Sequence, residues 1–121
     1  MKPIVLVAAL PLLAGPALAD TLPLGVWARG DGNTLVRIEP CGGKLCATNT
    51  YVKDTSGGEA VGHRLVMDLT PTGPGRFKGT AFDPQRDRSY AMTLDFAGRQ
   101  MSTRGCILGV ICKTVSWTKR P

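Results

Sequence analysis

The stretch SYAMTLDF, residues 89–96, alternates large apolar side chains with small or polar ones at every step. Successive side chains of a β-strand point to opposite faces, so this period of two predicts a strand with one buried face. Tyr90, Met92, Leu94 and Phe96 form that face. From residue 24 onward the same kind of pattern recurs, and no window has the spacing of an amphipathic helix.

Seven further strands are predicted on either side of this one, separated by residues that favour turns. Turns such as GDGN at 30–33 and PTGPG at 71–75 are typical of hairpin connections. Residues 53–60, which contain TSGG, are predicted to form a mobile loop. For 45–52 the alternation leaves open which side is buried. The predicted strands are 24–29, 34–39, 45–52, 64–70, 76–82, 89–96, 100–105 and 112–119.

The number of strands and their short connections favour one architecture. Eight antiparallel strands joined in sequence bury their apolar faces most simply as an up-and-down barrel, which also removes exposed edges. The predicted fold class is therefore all-β, a small eight-stranded antiparallel up-and-down barrel. A sandwich is the alternative, although it usually needs longer crossing connections. Barrel closure would place the first strand beside the last and bring Trp27 and Trp117 towards one mouth.

The first nineteen residues have the form of an export signal. A positive start at Lys2 precedes an apolar run over 4–13, and the small-residue site Ala17-Leu18-Ala19 predicts cleavage before Asp20. The run is too short to span a bilayer, and no second one follows it. The predicted organisation is a signal peptide over 1–19 and one barrel domain over 20–121. The mature protein is expected in the periplasm or outside the cell, without a transmembrane segment.

Four cysteines lie in the predicted mature chain. An even number in a small exported domain predicts two disulfides. Spacing favours the local pairs Cys41–Cys46 and Cys106–Cys112, each across the end of a hairpin. The two other pairings and a zinc site built from all four cysteines are the alternatives. Neither local pair has the tight spacing usual for zinc ligands, and the sequence predicts no metal.

Length and charge limit the classes of function. The chain has 121 residues, with 15 Lys and Arg against 9 Asp and Glu, and only 6% of its residues are aromatic. It supports one domain with one core. Exposed aromatics for base stacking are scarce, and export separates the protein from nucleic acid, so no nucleic-acid partner is predicted. The charge fits an attraction to an anionic envelope component, or solubility alone. The predicted basic surface consists of Arg76, Lys78, Arg86 and Arg88.

The residues needed for catalysis are not brought together by the sequence pattern. A hydrolase needs a nucleophile with a base in reach, and the chain has a single histidine, His63, beside the predicted loop. Asp83 and Asp87 share one turn with several basic residues, which favours ion pairs over an acid–base pair. That turn also lacks the glycine and glutamate of a calcium loop. The sequence therefore predicts no enzyme and no cofactor, an unrecognised hydrolase being the exception.

Several motifs resemble those of known families. GVW at 25–27 resembles the Gly-x-Trp that opens the first strand of lipocalins and related calycin barrels. In those barrels the Trp closes one end, and a basic residue from the last strand packs on it. The resemblance implies that the basic residue comes here from WTKR at 117–120. More closely, the chain resembles the bacterial exported family called domain of unknown function 2147 (DUF2147). The resemblance implies a lipocalin-like barrel and brings no established activity. Besides GVW, it rests on VRI at 36–38, CGGKLC at 41–46, FDP at 82–84, Tyr90, GC at 105–106, and Cys112 leading to Trp117.

Two functions from different classes follow from this architecture. An eight-stranded barrel is just wide enough to be filled by its own side chains or to hold one small ligand. The first hypothesis is a monomer that binds a small apolar or amphipathic, lipophilic ligand in the barrel mouth. The alternative is a structural or interaction module of the cell envelope, with a filled barrel and basic outer loops. The predicted ligand-binding residues are Trp27, Tyr51, Tyr90, Met92 and Trp117.

Overall fold

A computed structural model of the protein describes residues 21–121. All eight predicted strands are confirmed, each with bounds within three residues of those predicted. The signal peptide predicted over 1–19 and its cleavage site before Asp20 lie outside the described residues. The strands are β1 (Gly25–Arg29), β2 (Thr34–Cys41), β3 (Lys44–Val52), β4 (Arg64–Gly73), β5 (Arg76–Asp83), β6 (Arg88–Ala97), β7 (Gln100–Ile107) and β8 (Ile111–Lys119).

The strands form a closed barrel in which each pairs with its neighbours in chain order. All pairings are antiparallel, and β1 pairs with β8 through Trp27 opposite Lys119 and Arg29 opposite Trp117. The barrel prediction is thereby confirmed, and the sandwich alternative is wrong. Among residues 21–121, no helix has the length and apolar composition needed to cross a bilayer.

The up-and-down order divides the connections between two ends of the barrel. We call the closed end the one that carries residues 22–24 and the turns β2–β3, β4–β5 and β6–β7. The open end carries the connections β1–β2, β3–β4, β5–β6 and β7–β8. Each strand therefore presents its inward side chains in a series that runs from one end to the other.

An aromatic cluster fills the closed end. Trp27 is fully buried, and its indole Nε1 donates a hydrogen bond to the carbonyl oxygen of Pro23 at 3.0 Å. Phe96 meets the Trp27 ring edge-on at a centroid distance of 6.5 Å and stacks on Phe77. Lys119 places its Nζ 5.9 Å from the centre of the Trp27 ring. The expectation that a basic residue of the last strand packs on this tryptophan is confirmed.

A β-bulge settles the orientation of β3, which the sequence left open. Leu35 pairs with Tyr51 and Val36 pairs with Asn49, so Thr50 is an extra residue in this ladder. An extra residue shifts the alternation of faces by one position. Asn49 consequently faces the interior, while Tyr51 lies on the outer wall with 46% of its surface exposed. Tyr51, predicted as a ligand-binding residue, therefore lies outside the barrel interior.

Both predicted disulfides are present, one at each end of the barrel. Cys41–Cys46 joins β2 to β3 at the closed end. Cys106 and Cys112 are directly paired residues of β7 and β8, and their disulfide lies below the last turn of the open end. No cysteine is free, so the other pairings and the zinc alternative are wrong.

Trp27→Ala tests the aromatic cluster. Truncating a fully buried tryptophan removes its contacts and leaves a cavity, so we expect the free energy of unfolding to fall by about 3–5 kcal/mol. Urea denaturation followed by circular dichroism measures this loss. Tyr51→Ala, a truncation on the outer wall, is the matched control and should change stability by less than about 1 kcal/mol. A near-neutral Trp27→Ala would contradict the assignment of Trp27 as the plug.

Candidate functional site

A cavity of about 400 Å³ occupies the interior of the barrel towards the open end. This volume falls within the range of small-molecule sites. Near the closed end, several inward side chains are large and aromatic. Towards the open end several are smaller or polar, including Ala47, Asn49 and Thr103. Unfilled space remains because these side chains do not reach the barrel axis. The apolar floor of the cavity consists of Val36, Ile38, Met67, Met92, Leu94 and Met101.

The floor has flexible side chains, and the wall above it has a fixed one. Met92 and Met101 are unbranched thioethers that adapt to the shape of a ligand. Tyr90 and Trp117 add aromatic surface to the wall. The indole Nε1 of Trp117 donates a hydrogen bond to Thr103 Oγ1 at 3.0 Å, which fixes the ring in place. The cavity therefore offers an apolar compartment with an adjustable floor and one anchored aromatic side.

Residues 53–63, between β3 and β4, form a strap at the rim of the open end. The carboxylate of Glu59 accepts two hydrogen bonds from the guanidinium of Arg29, both at 2.8 Å. The same carboxylate accepts a hydrogen bond of 2.9 Å from the hydroxyl of Thr34, which is buried. A bidentate pair fixes both distance and orientation. Glu59 thus connects the strap to β1 and β2, although it follows Arg29 by thirty residues.

Further hydrogen bonds hold the strap on its other sides. Arg86 Nη2 donates to the carbonyl oxygen of Gly58 at 3.1 Å, which joins the strap to the β5–β6 turn. Asn33 and Asp54 exchange hydrogen bonds between the β1–β2 turn and the start of the strap. The segment is a loop, as predicted, and these contacts connect it to the β1–β2 hairpin and to the β5–β6 turn.

The two carboxylates that line the cavity, Glu59 and Asp83, are held in their ionised forms. The hydrogen bonds from Arg29 lower the pKa of Glu59, and this outweighs the opposing effect of its partial burial. Burial alone would raise the pKa of Asp83, but the bonds from Arg86 and Gln85 outweigh it and the pKa is lowered. A general acid needs a raised pKa. Asp83 is instead the ionised partner of an ion pair.

Two further cations line the cavity outside these ion pairs, and one of them, Lys113, interacts electrostatically with Asp31. Arg29 and Arg86 are each paired with a carboxylate. Arg64 and Lys113 also line the cavity, and neither forms a salt bridge within residues 21–121. His63 lines the cavity as well, and its Nδ1 is the buried side-chain nitrogen that lacks a hydrogen-bond partner in the described chain. The rim can therefore attract an anionic group.

Three of the five predicted ligand-binding residues lie together in this cavity: Tyr90, Met92 and Trp117. Trp27 and Tyr51 do not line it. Trp27 belongs to the aromatic cluster, because on β1 it lies two residues before the cavity-lining Arg29 and so one inward-facing position nearer the closed end. The bulge in β3 places Tyr51 outside. The two tryptophans lie on the paired strands β1 and β8, but only Trp117 faces the cavity.

The four predicted basic residues do not form one surface. Arg76 lies at the closed end, where its Nε is 3.9 Å from a carboxylate oxygen of Asp95. Arg86 lies within the β5–β6 turn at the open end, and Arg88 begins β6 directly after it. Lys78 lies between them on the outer wall of β5. Arg86 is bound to Asp83 and to the strap. Within residues 21–121, no three His, Cys, Asp or Glu side chains cluster as metal ligands.

Comparison with known proteins identifies the family. The family model described as "Uncharacterized protein conserved in bacteria (DUF2147)" matches residues 25–119, which span the whole barrel from β1 to β8. No curated protein and no solved structure matches the chain. The resemblance to this family is confirmed, whereas that to lipocalins stays a resemblance. The family description names no activity, and disulfides in a bacterial domain are typical of exported proteins.

Glu59→Gln tests whether the ion pair holds the strap. Because the pKa of Glu59 is lowered in the folded protein, its stabilising contribution is complete above the ordinary glutamate pKa of about 4.3 and is lost as the pH falls below it. We expect the substitution to cost about 1–2 kcal/mol at pH 7. The difference from the unaltered protein should shrink towards zero in acid.

Thermal denaturation between neutral and acidic pH measures this difference. Glu39→Gln is the matched control, since Glu39 is exposed on β2 and exposed charges contribute little to stability. An equal loss for Glu59→Gln at every pH would show that the ion pair is not its cause.

Proposed function

This chain belongs to the bacterial DUF2147 family, and from that premise we propose that it is an exported, non-enzymatic barrel that binds one small amphipathic ligand. The ligand lies in the open-end cavity, with its apolar part on the floor and an anionic group at the rim. The observation that carries this proposal is the cavity itself, about 400 Å³ of space with an apolar floor beneath two cations that form no salt bridge within residues 21–121.

The floor supports an apolar part of limited size. Met67, Met92, Leu94 and Met101 are buried, so a chain that replaces water above them gains hydrophobic free energy without displacing any polar group. The aromatic cluster around Trp27 closes the far end, which limits how deep a ligand reaches. A single acyl chain or a small ring system fits this enclosure better than a lipid with two chains.

The rim supports an anionic group. Arg64 and Lys113 supply positive charge, while the cations of Arg29 and Arg86 are already engaged with carboxylates. A ligand carboxylate or phosphate at this position gains charge-assisted hydrogen bonds that neutral ligands cannot form. Amphipathic anions are therefore preferred over neutral lipophiles of the same size.

Export and a binding role are mutually consistent. The form of residues 1–19 and the two disulfides both support a location in the periplasm or outside the cell. The polar groups near the cavity support binding over catalysis, since Asp83 is an ion-pair partner and the Nδ1 of His63 forms no hydrogen bond with a nucleophile in the described part of the chain. The alternative, an envelope module with a filled barrel, has less support because the cavity is unfilled and the predicted basic residues are dispersed.

Binding of laurate, compared with the matched fatty alcohol, tests the proposal. A ligand that binds only the folded state raises the melting temperature with its concentration. We expect laurate to raise it more than the alcohol does, and Lys113→Gln to weaken laurate binding about tenfold in isothermal titration calorimetry while leaving the alcohol unaffected. Lys78→Gln, on the outer wall, is the control for charge.

Ala47→Leu tests the location of the site. The larger side chain occupies cavity space, so laurate affinity should fall about tenfold or more. The unliganded variant should be as stable as the unaltered protein, because the side chain enters unfilled space. Ala91→Leu places the same change on the exposed outer face of β6 and should leave binding unchanged. If neither lipophile binds, and native mass spectrometry of protein purified from its producing cells shows no bound molecule, the filled-barrel alternative holds instead.

A further inference from the structure

The turn between β7 and β8 is apolar at its tip. Residues 107–111 read ILGVI, and Leu108, Val110 and Ile111 expose 87%, 76% and 66% of their surfaces. Turns at the ends of hairpins normally consist of Gly, Asn, Asp, Ser and Pro. We call residues 107–111 the tip. Its exposed leucine and β-branched residues are not explained by the turn or by any contact with the core.

Leu108 also occupies a backbone conformation that is unfavourable for leucine. Its φ is 55°, and Gly109 after it has φ 72°. Side chains clash with the backbone in this left-handed region, which Gly and Asn adopt more readily. A strained residue that is neither buried nor suited to its turn points to a function outside the folded domain.

The disulfide and the surrounding charge give the tip a definite character. Cys106–Cys112 lies directly below it and keeps the tip as a short protrusion beyond the barrel. The strands on either side of the tip, β7 and β8, contain no Asp or Glu, and of their cations Arg104 and Lys113 lie on the half of each strand next to the tip, while Lys119 lies at the closed end. Lys113 follows Ile111 by two residues, a distance of about 7 Å along a strand.

We propose that the tip inserts into the headgroup region of an anionic phospholipid membrane. Apolar groups of peripheral proteins lie about 5–10 Å inside the boundary between headgroups and acyl chains. With Leu108 and Val110 at that depth, Arg104 and Lys113 lie nearer the level of the lipid phosphates. A convex, apolar tip with cations set behind it suits a deformable anionic surface. This interaction goes beyond the proposed ligand binding and does not depend on it.

Vesicle flotation with the whole protein tests this inference. We expect the protein to float with vesicles that contain phosphatidylglycerol and to remain largely unbound with vesicles of phosphatidylcholine alone. Added salt should weaken the binding, because part of it is electrostatic. Arg104→Gln should weaken it about fivefold, the usual contribution of one cation near an anionic surface.

The double variant Leu108→Asn with Val110→Thr isolates the tip. Asparagine tolerates the backbone conformation of residue 108, so the variant should melt no lower than the unaltered protein. Its binding to the anionic vesicles should fall about tenfold or more, because two apolar side chains no longer enter the membrane. Phe82→Thr removes an exposed apolar side chain from β5 and is the matched control, with unchanged binding.

Three results would overturn the inference. The protein fails to bind phosphatidylglycerol vesicles, or the double variant binds them as well as the unaltered protein does. Alternatively, ultracentrifugation shows a dimer that the double variant converts to a monomer without any vesicle binding, which makes the tip a contact between copies. Laurate titration of the same variants is a separate readout, so failure of this inference is distinguishable from failure of the proposed function.

Discussion

Pairing of β1 with β8 closes the sheet, and the rest of the structure depends on this closure. A sheet of eight strands with unpaired edges would expose backbone donors and acceptors and would have no interior. The seam joins Trp27 to Lys119 in register, and the same two residues meet through their side chains as cation and ring. The residues that close the barrel are therefore also those that seal one of its ends. Both the aromatic cluster and the cavity above it depend on this one strand pairing.

The two ends differ because the inward side chains change in size along each strand. β6 proceeds from Tyr90 through Met92 and Leu94 to Phe96, and so from the open cavity to the aromatic cluster. On β1 the series is reversed, since Trp27 lies in the plug and Arg29 at the rim. Antiparallel neighbours place these opposite series side by side. Because both series reach the aromatic cluster at the same end, the barrel is filled at that end and open at the other.

The sequence predicted those features that depend on local periodicity, and it missed those that depend on distant residues. Strand positions, closure and both disulfides were predictable, because alternation and short cysteine spacing are local signals. Tyr51 was misplaced because a single extra residue at Thr50 reverses the alternation, and no turn residue marks it. The bond between Arg29 and Glu59 joins residues thirty positions apart, so no local pattern indicates it. The cavity is likewise invisible to pattern analysis, since it is the volume that inward side chains leave unfilled.

The parity of an up-and-down barrel explains why several separate features lie at one end. Connections that follow odd-numbered strands all emerge at the open end, which brings together the strap, the β5–β6 turn and the apolar tip although they are distant in sequence. Arg29 and Arg86 each pair with a carboxylate there and also bind the strap, whereas Arg64 and Lys113 line the cavity without a salt bridge in the described chain. Lys113 lies close to both the cavity rim and the tip. A cation that lines the cavity is thus separated from the exposed apolar turn by only a few residues of β8.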